Sequence, residues 1–118
     1  MPSERSRHAL VAILDNATLA GVFIAGRDHA AFAMDRKTFY AVTRCLEIIS
    51  EATRRLDEDV RARHPALPWR QIMDAGNVYR HDYDNVVEAF VWQAVQERLP
   101  ELIATAREEL KRLDASRL

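Results

Sequence analysis

The residues with the greatest capacity for chemistry fall in one run, Gly76-Asn77-Val78-Tyr79-Arg80-His81-Asp82-Tyr83. It brings together an imidazole, a guanidinium, an amide, a carboxylate and two phenols. Asn77 and His81 are spaced i, i+4, which on a helix puts two hydrogen-bonding side chains on one face about 5–6 Å apart. Of these groups only His81 has an unperturbed pKa, about 6.5, suited to proton transfer near neutral pH. Arg70, Asp74, Asn77 and His81 are spaced 4, 3, 4 and form a polar stripe. The plain reading of such a stripe is a solvated face with an internal Arg70–Asp74 pair. Two features ask for more. Gly76 falls inside the helix, where it costs about 1 kcal/mol against alanine, and so points to a close backbone approach. The helix also closes on a cation, a base, an acid and a phenol in succession.

Other chemistries fit poorly. His81 and Asp82 are adjacent, so both cannot face one ion on a continuing helix, and His8, His29 and His64 have no ligand spacing around them. The chain has no glycine-rich phosphate loop and no Ser-His-Asp arrangement, so no metal or other cofactor is expected. Cys45 is the single cysteine and falls on the core side of a helix, as a buried thiol rather than a nucleophile. Glu47 and Glu51 could form an acidic dyad, but no second acidic pair opposes them, and solvated surface is the better reading. Arg54, Arg55, Arg61 and Arg63 could attract RNA, diluted by Asp57, Glu58 and Asp59. Trp69 and Trp92 are read as packing residues, Trp92 at a core edge or a dimer contact.

The elements that must position the run are helical. The helical period recurs throughout, period-two alternation is absent, and 3 Gly and 4 Pro are too few for a turn-rich β protein. A first helix is expected from Ser6 to Ile24, with Leu10, Ile13, Leu14, Ala17, Gly21 and Ile24 as its stripe and Gly26 at its end. A short turn capped by Asp28 follows. Asp35 caps the next helix, whose residues Phe39, Val42, Leu46, Ile49, Thr53, Leu56 and Val60 make a coiled-coil-like seam of about three heptads. His64-Pro65-Ala66-Leu67-Pro68 stops it. Another helix starts near Pro68 and breaks at Asp82–Asn85, with Asp84 or Asn85 capping the last apolar stretch from Val87 to Leu113, which Pro100 divides or kinks. The tail from Asp114 should fray.

The expected architecture is a single all-α domain over residues 1–118, an antiparallel bundle of four or five helices that dimerises. With 118 residues, 48% of them hydrophobic, the chain can bury one core. Its 17 basic and 18 acidic side chains leave a net charge of −1, which argues against whole-molecule attraction to nucleic acid but not against a local patch. The polar N-terminus lacks a signal-peptide pattern, and a cytoplasmic location is expected.

Four blocks then carry a resemblance. Leu46-Glu47-Ile48-Ile49-Ser50-Glu51-Ala52, then Pro68-Trp69-Arg70-Gln71-Ile72, then Asn77…His81-Asp82-Tyr83 are similar, in that order, to the HepT-like branch of the HEPN domains. The stretch Val91-Trp92-Gln93-Ala94-Val95-Gln96-Glu97-Arg98-Leu99-Pro100-Glu101-Leu102 resembles the end of that family. The resemblance implies a dimeric helical bundle and a bacterial toxin, many of whose relatives are metal-independent ribonucleases. It also implies a small nucleotidyltransferase as antitoxin. The family motif is Arg, usually Asn, three variable residues, His, one variable residue, Tyr. Carried over, the Asn is Asn77, the His is His81 and the Tyr, where the antitoxin can attach AMP, is Tyr83. The arginine position holds Gly76, a departure that removes a guanidinium from the site. Arg80 is the nearby candidate to replace it. An alternative is a decayed catalytic domain that persists as a dimeric partner of the nucleotidyltransferase.

Overall fold

The computed structural model describes residues 4–81 and 88–116, with only the backbone of Arg80 and His81. The described residues are helices joined by short turns and contain no strand: α1 (Glu4–Ile24), α2 (His29–Met34), α3 (Arg36–Arg54), α4 (Glu58–Ala62), α5 (Trp69–His81), α6 (Glu88–Gln93), a π-helical turn (Ala94–Arg98) and α7 (Leu99–Ala115). The expected all-α bundle is what the chain forms. The break at 82–85, its caps Asp84 and Asn85, Val87, and the last two residues of the tail lie outside the described residues.

Cross-helix contacts fix the topology. Arg7 near the start of α1 pairs with Asp114 near the end of α7 at 3.0 Å. Ser6 bonds Asp57 just beyond α3. The two neighbours of α1 therefore run antiparallel to it. Leu10, Ile13, Ala17 and Ala20 are buried in this central layer, with Phe39, Val42, Leu46 and Ile49 of α3 and Leu99, Leu102 and Ala106 of α7. Gly21, assigned to the α1 stripe from its spacing, is instead exposed. By length and apolarity alone α1 could cross a membrane; here it is the core helix between α3 and α7.

Capping follows the short polar side chains. Asp28 accepts from the Ala31 N–H and Asp35 from the Thr38 N–H, as expected for N-cap residues whose short carboxylate reaches the first turn of the helix that follows. The hydrogen bonds of Asp35 to the Thr38 hydroxyl and N–H hold its carboxyl below the usual carboxylate range. Gly26 ends α1 with φ +76°, a conformation that favours glycine.

The long seam is shorter than its periodicity suggests. Leu56 and Val60 are buried, 4% and 0% exposed, but α3 stops at Arg54 and Val60 belongs to the separate turn α4. No proline or glycine marks the break. Ser6 of α1 both donates to the Asp57 carboxylate (2.8 Å) and accepts from the Asp57 N–H (3.0 Å). Arg61 donates to the carbonyls of Thr53 (3.1 Å) and Leu56 (2.7 Å). A distant serine and a nearby arginine thus satisfy the backbone groups that a helix end would orphan. Further on, Pro100 stands in the first turn of α7, where its missing N–H is harmless, and the π-helical turn precedes it.

Candidate active site

Helix α5 carries the run. It lies against α3, antiparallel to it, and a polar clamp sets the contact. The Ser50 hydroxyl donates to the Met73 carbonyl at 2.9 Å and accepts from the Gly76 N–H at 2.9 Å. Ser50 is 2% exposed, so its hydroxyl needs both partners. Arg54, one turn along α3, donates to the same Met73 carbonyl at 2.7 Å. Gly76 is buried in this contact. The close approach expected of a mid-helix glycine is therefore made by α3.

This clamp orients the helix. Ile72, Gly76 and Tyr79 face inward, whereas Arg70, Asp74, Asn77 and Val78 are exposed. The stripe of polar residues is the outer face, and the Arg70–Asp74 pair is present at 3.9 Å. Asn77 is exposed on that face, and the helical register aligns the backbone of His81, in the last turn, with Asn77 and Asp74. The side chains of Arg80 and His81, and all of Tyr83, lie outside the described residues. The structure places Asn77 and the backbone positions 80 and 81.

Of the two phenols of the run, Tyr79 lies within the described residues. Tyr79 is 3% exposed, its ring 6.3 Å from that of Phe90. Burial pushes its hydroxyl up to about 12, so it stays protonated at neutral pH and is sheltered from modifying enzymes. Beside it, between α5 and the π-helical turn, runs a groove of about 190 Å³ lined by Ile72, Tyr79, Phe90 and Leu99 and edged by Glu97 and Arg98.

The remaining candidates fall into place as structural groups. Cys45 is buried and its thiol pKa is raised by that burial, which suits the expected inert thiol. Glu47 pairs with Arg44 on the α3 surface. Trp69 donates its indole N–H to the His64 carbonyl, and Trp92, half-buried, stacks on His29 with ring centroids 5.6 Å apart. Among the described residues no three His, Cys, Asp or Glu side chains converge as a metal site.

The four-arginine patch does not assemble. Arg61 holds the end of α3, and Arg55 lines a separate pocket with Arg44, Glu47 and Glu51. Arg63 donates through Nη2 and Nε to Glu109 at 2.6 and 3.2 Å. Glu109 is 0% exposed, His64 Nε2 lies 2.7 Å from it, and Arg112 3.5 Å. Burial alone would raise the Glu109 pKa; the hydrogen bonds from Arg63 and His64 outweigh it and hold the carboxyl below its ordinary value. Sequence reasoning missed this cluster and the Ser50–Arg54 clamp. Both carried a signal: Ser50 is a hydroxyl beside the apolar seam, and Glu109 is a carboxylate in the 3, 4, 3, 4 register of Leu99, Leu102, Ala106 and Leu113, on the apolar stripe of α7.

Comparison with known proteins agrees with this architecture. Residues 13–109 match the family described as HepT-like ribonuclease. A Methanocaldococcus jannaschii protein named "Putative RNase" is 32% identical over 76% of this chain and 83% of its own length. A second of that name from the same organism is 30% identical over 97% and 94%. A Thermococcus cleftensis protein named "Probable ribonuclease HepT" is 38% identical over 60% of this chain and 64% of its own. No solved structure matches the chain. With its helical fold and the match over most of its length, the chain belongs to the HepT-like ribonuclease family.

Proposed function

We propose that this protein is the toxin of a bacterial toxin–antitoxin pair, a metal-independent endoribonuclease that acts as a cytoplasmic homodimer on RNA such as tRNA. A nucleotidyltransferase antitoxin controls it by attaching AMP to Tyr83. Family membership and the exposed polar face of α5 support this reading. The observation that carries it is the division of α5: Gly76 and Tyr79 are buried against the bundle, while Asn77 is exposed in register with position 81.

In the mechanism, His81 removes the proton from an RNA 2′-hydroxyl. The oxygen attacks the adjacent phosphorus, forming a 2′,3′-cyclic phosphate as the bond to the 5′-oxygen breaks. His81 of the second protomer protonates that leaving oxygen. Asn77 orients the imidazole or binds phosphate, and Arg80 stabilises the charge developing on phosphorus. Purified protein incubated with tRNA should yield fragments, and His81→Ala should yield none while retaining its helical spectrum. Equal cleavage by the mutant removes this mechanism.

The burial of Gly76 favours a second reading, in which the domain has lost its nuclease and serves as a dimeric partner of the nucleotidyltransferase. An arginine at position 76 would start inside the α3–α5 contact. Intact tRNA after incubation with wild-type protein, together with a stable complex with the nucleotidyltransferase, selects this alternative.

A further inference from the structure

We infer that Arg54 is a phosphate-binding residue for the RNA substrate, holding a backbone phosphate beside the one that is cut. The inference rests on the ribonuclease reading above. Among the arginines from 54 to 63, Arg54 is the one that crosses to α5. It donates to the Met73 carbonyl and lies 3.7 Å from Asp74. Asp74 in turn lies 3.9 Å from Arg70. Two guanidinium groups thus share one carboxylate on the outer face of α5, leaving one positive charge uncompensated within the trio.

The chemistry suits a phosphodiester. A guanidinium has five N–H groups in a rigid fork, and the Met73 carbonyl takes one bond from this one. The Arg54 side chain is 39% exposed, so it is anchored yet open to water. An anchored guanidinium loses less freedom on capturing an anion than a freely rotating one. Asp74 is itself 59% exposed and can be displaced by a more highly charged competitor. Seven residues separate Asp74 from position 81, about 10 Å along a helix axis. That is longer than the span of one phosphate group, so the phosphate held here is not the scissile one but one close to it along the strand. Asn77 lies between the two positions on the same face.

The test is binding of a single-stranded 2′-O-methyl RNA oligonucleotide, which lacks the attacking hydroxyl, followed by fluorescence anisotropy across a salt series. Arg54→Gln keeps a donor for the Met73 carbonyl and loses the charge. It should weaken binding several-fold and flatten the slope of log K against log salt by about 0.7, the value for one phosphate contact on a single strand. Arg54→Lys should keep the slope. Asp74→Asn, which frees the guanidinium without touching its fold contact, should tighten binding. Unchanged affinity and slope in Arg54→Gln, or no gain in Asp74→Asn, overturns the inference, as does a wild-type protein with no affinity for the probe. Wild-type protein that binds the probe but cuts no RNA removes the nuclease reading and leaves this one. His81-dependent cleavage with an unchanged Arg54→Gln slope does the reverse.

Discussion

Two arginine–carboxylate clusters, built from similar residues, meet different fates in this bundle. Around Glu109, the loop after α4 and the body of α7 close on a carboxylate with 0% exposure, and Arg63, His64 and Arg112 saturate it. On α5, Arg54, Asp74 and Arg70 meet at 3.7 and 3.9 Å in the open, with side chains 39%, 59% and 86% exposed. The first cluster cannot exchange its partners without exposing a charge to an apolar interior. The second is screened by water and weak, and can trade a carboxylate for another anion. Burial separates a structural latch from a surface able to serve a substrate.

The comparison can be broken first at the chemistry. His81→Ala should lower RNA cleavage by about 10²–10⁴-fold or more, as expected for removal of a positioned base, with no change in thermal midpoint. Timed tRNA digests read the rate. A loss of fold instead would move position 81 into the structural class.

The latch should answer in stability alone. Glu109→Ala should cost about 3 kcal/mol by denaturant unfolding, at the low end for a broken buried pair because Arg63 and His64 can turn toward water. Its pH dependence has a definite sign. The folded carboxyl titrates below its ordinary value near 4.5. The unfolded chain therefore takes up the proton first as pH falls. The latch contributes fully above about pH 5 and is lost progressively through and below the unfolded pKa. Wild-type protein should lose stability across that acid window more steeply than Glu109→Gln; equal slopes would show that the latch carries no linked proton.

Gly76→Arg separates the motif from the packing. The family pattern alone would have it restore a guanidinium and create nuclease activity. Its buried position instead predicts a net loss of about 1–2 kcal/mol, overpacking of about 1–3 kcal/mol being partly offset by better helix propensity. Unfolding midpoints beside activity assays decide which holds. The smallest effect belongs to the exposed end of the α5 cluster. Arg70→Ala should change stability by less than about 0.5 kcal/mol, since the Arg70–Asp74 pair lies on the open surface. A larger loss would mean that the open cluster is also structural.

Much of this molecule was legible as sequence. Apolar period fixed the helices, Asp28 and Asp35 marked two starts, Gly26 one end, and the i, i+4 pairing of Arg70 with Asp74 is local geometry. The blocks from Leu46 to Tyr83, in order, identified the family, because succession of motifs survives where any single motif is weak. Local patterns of this kind depend on residues within a turn or two of each other.

What tertiary structure alone decided are the pairings between distant residues. Position 6 ends the helix at 54 by binding residue 57. Ser50 turns α5 so that Gly76 and Tyr79 go inward and Asn77 outward. Four neighbouring arginines scatter to four destinations. Ser6, Ser50 and Glu109 are buried polar groups that each had to find a partner, and those partners lay 51, 26 and 46 residues away, beyond the reach of helical periodicity.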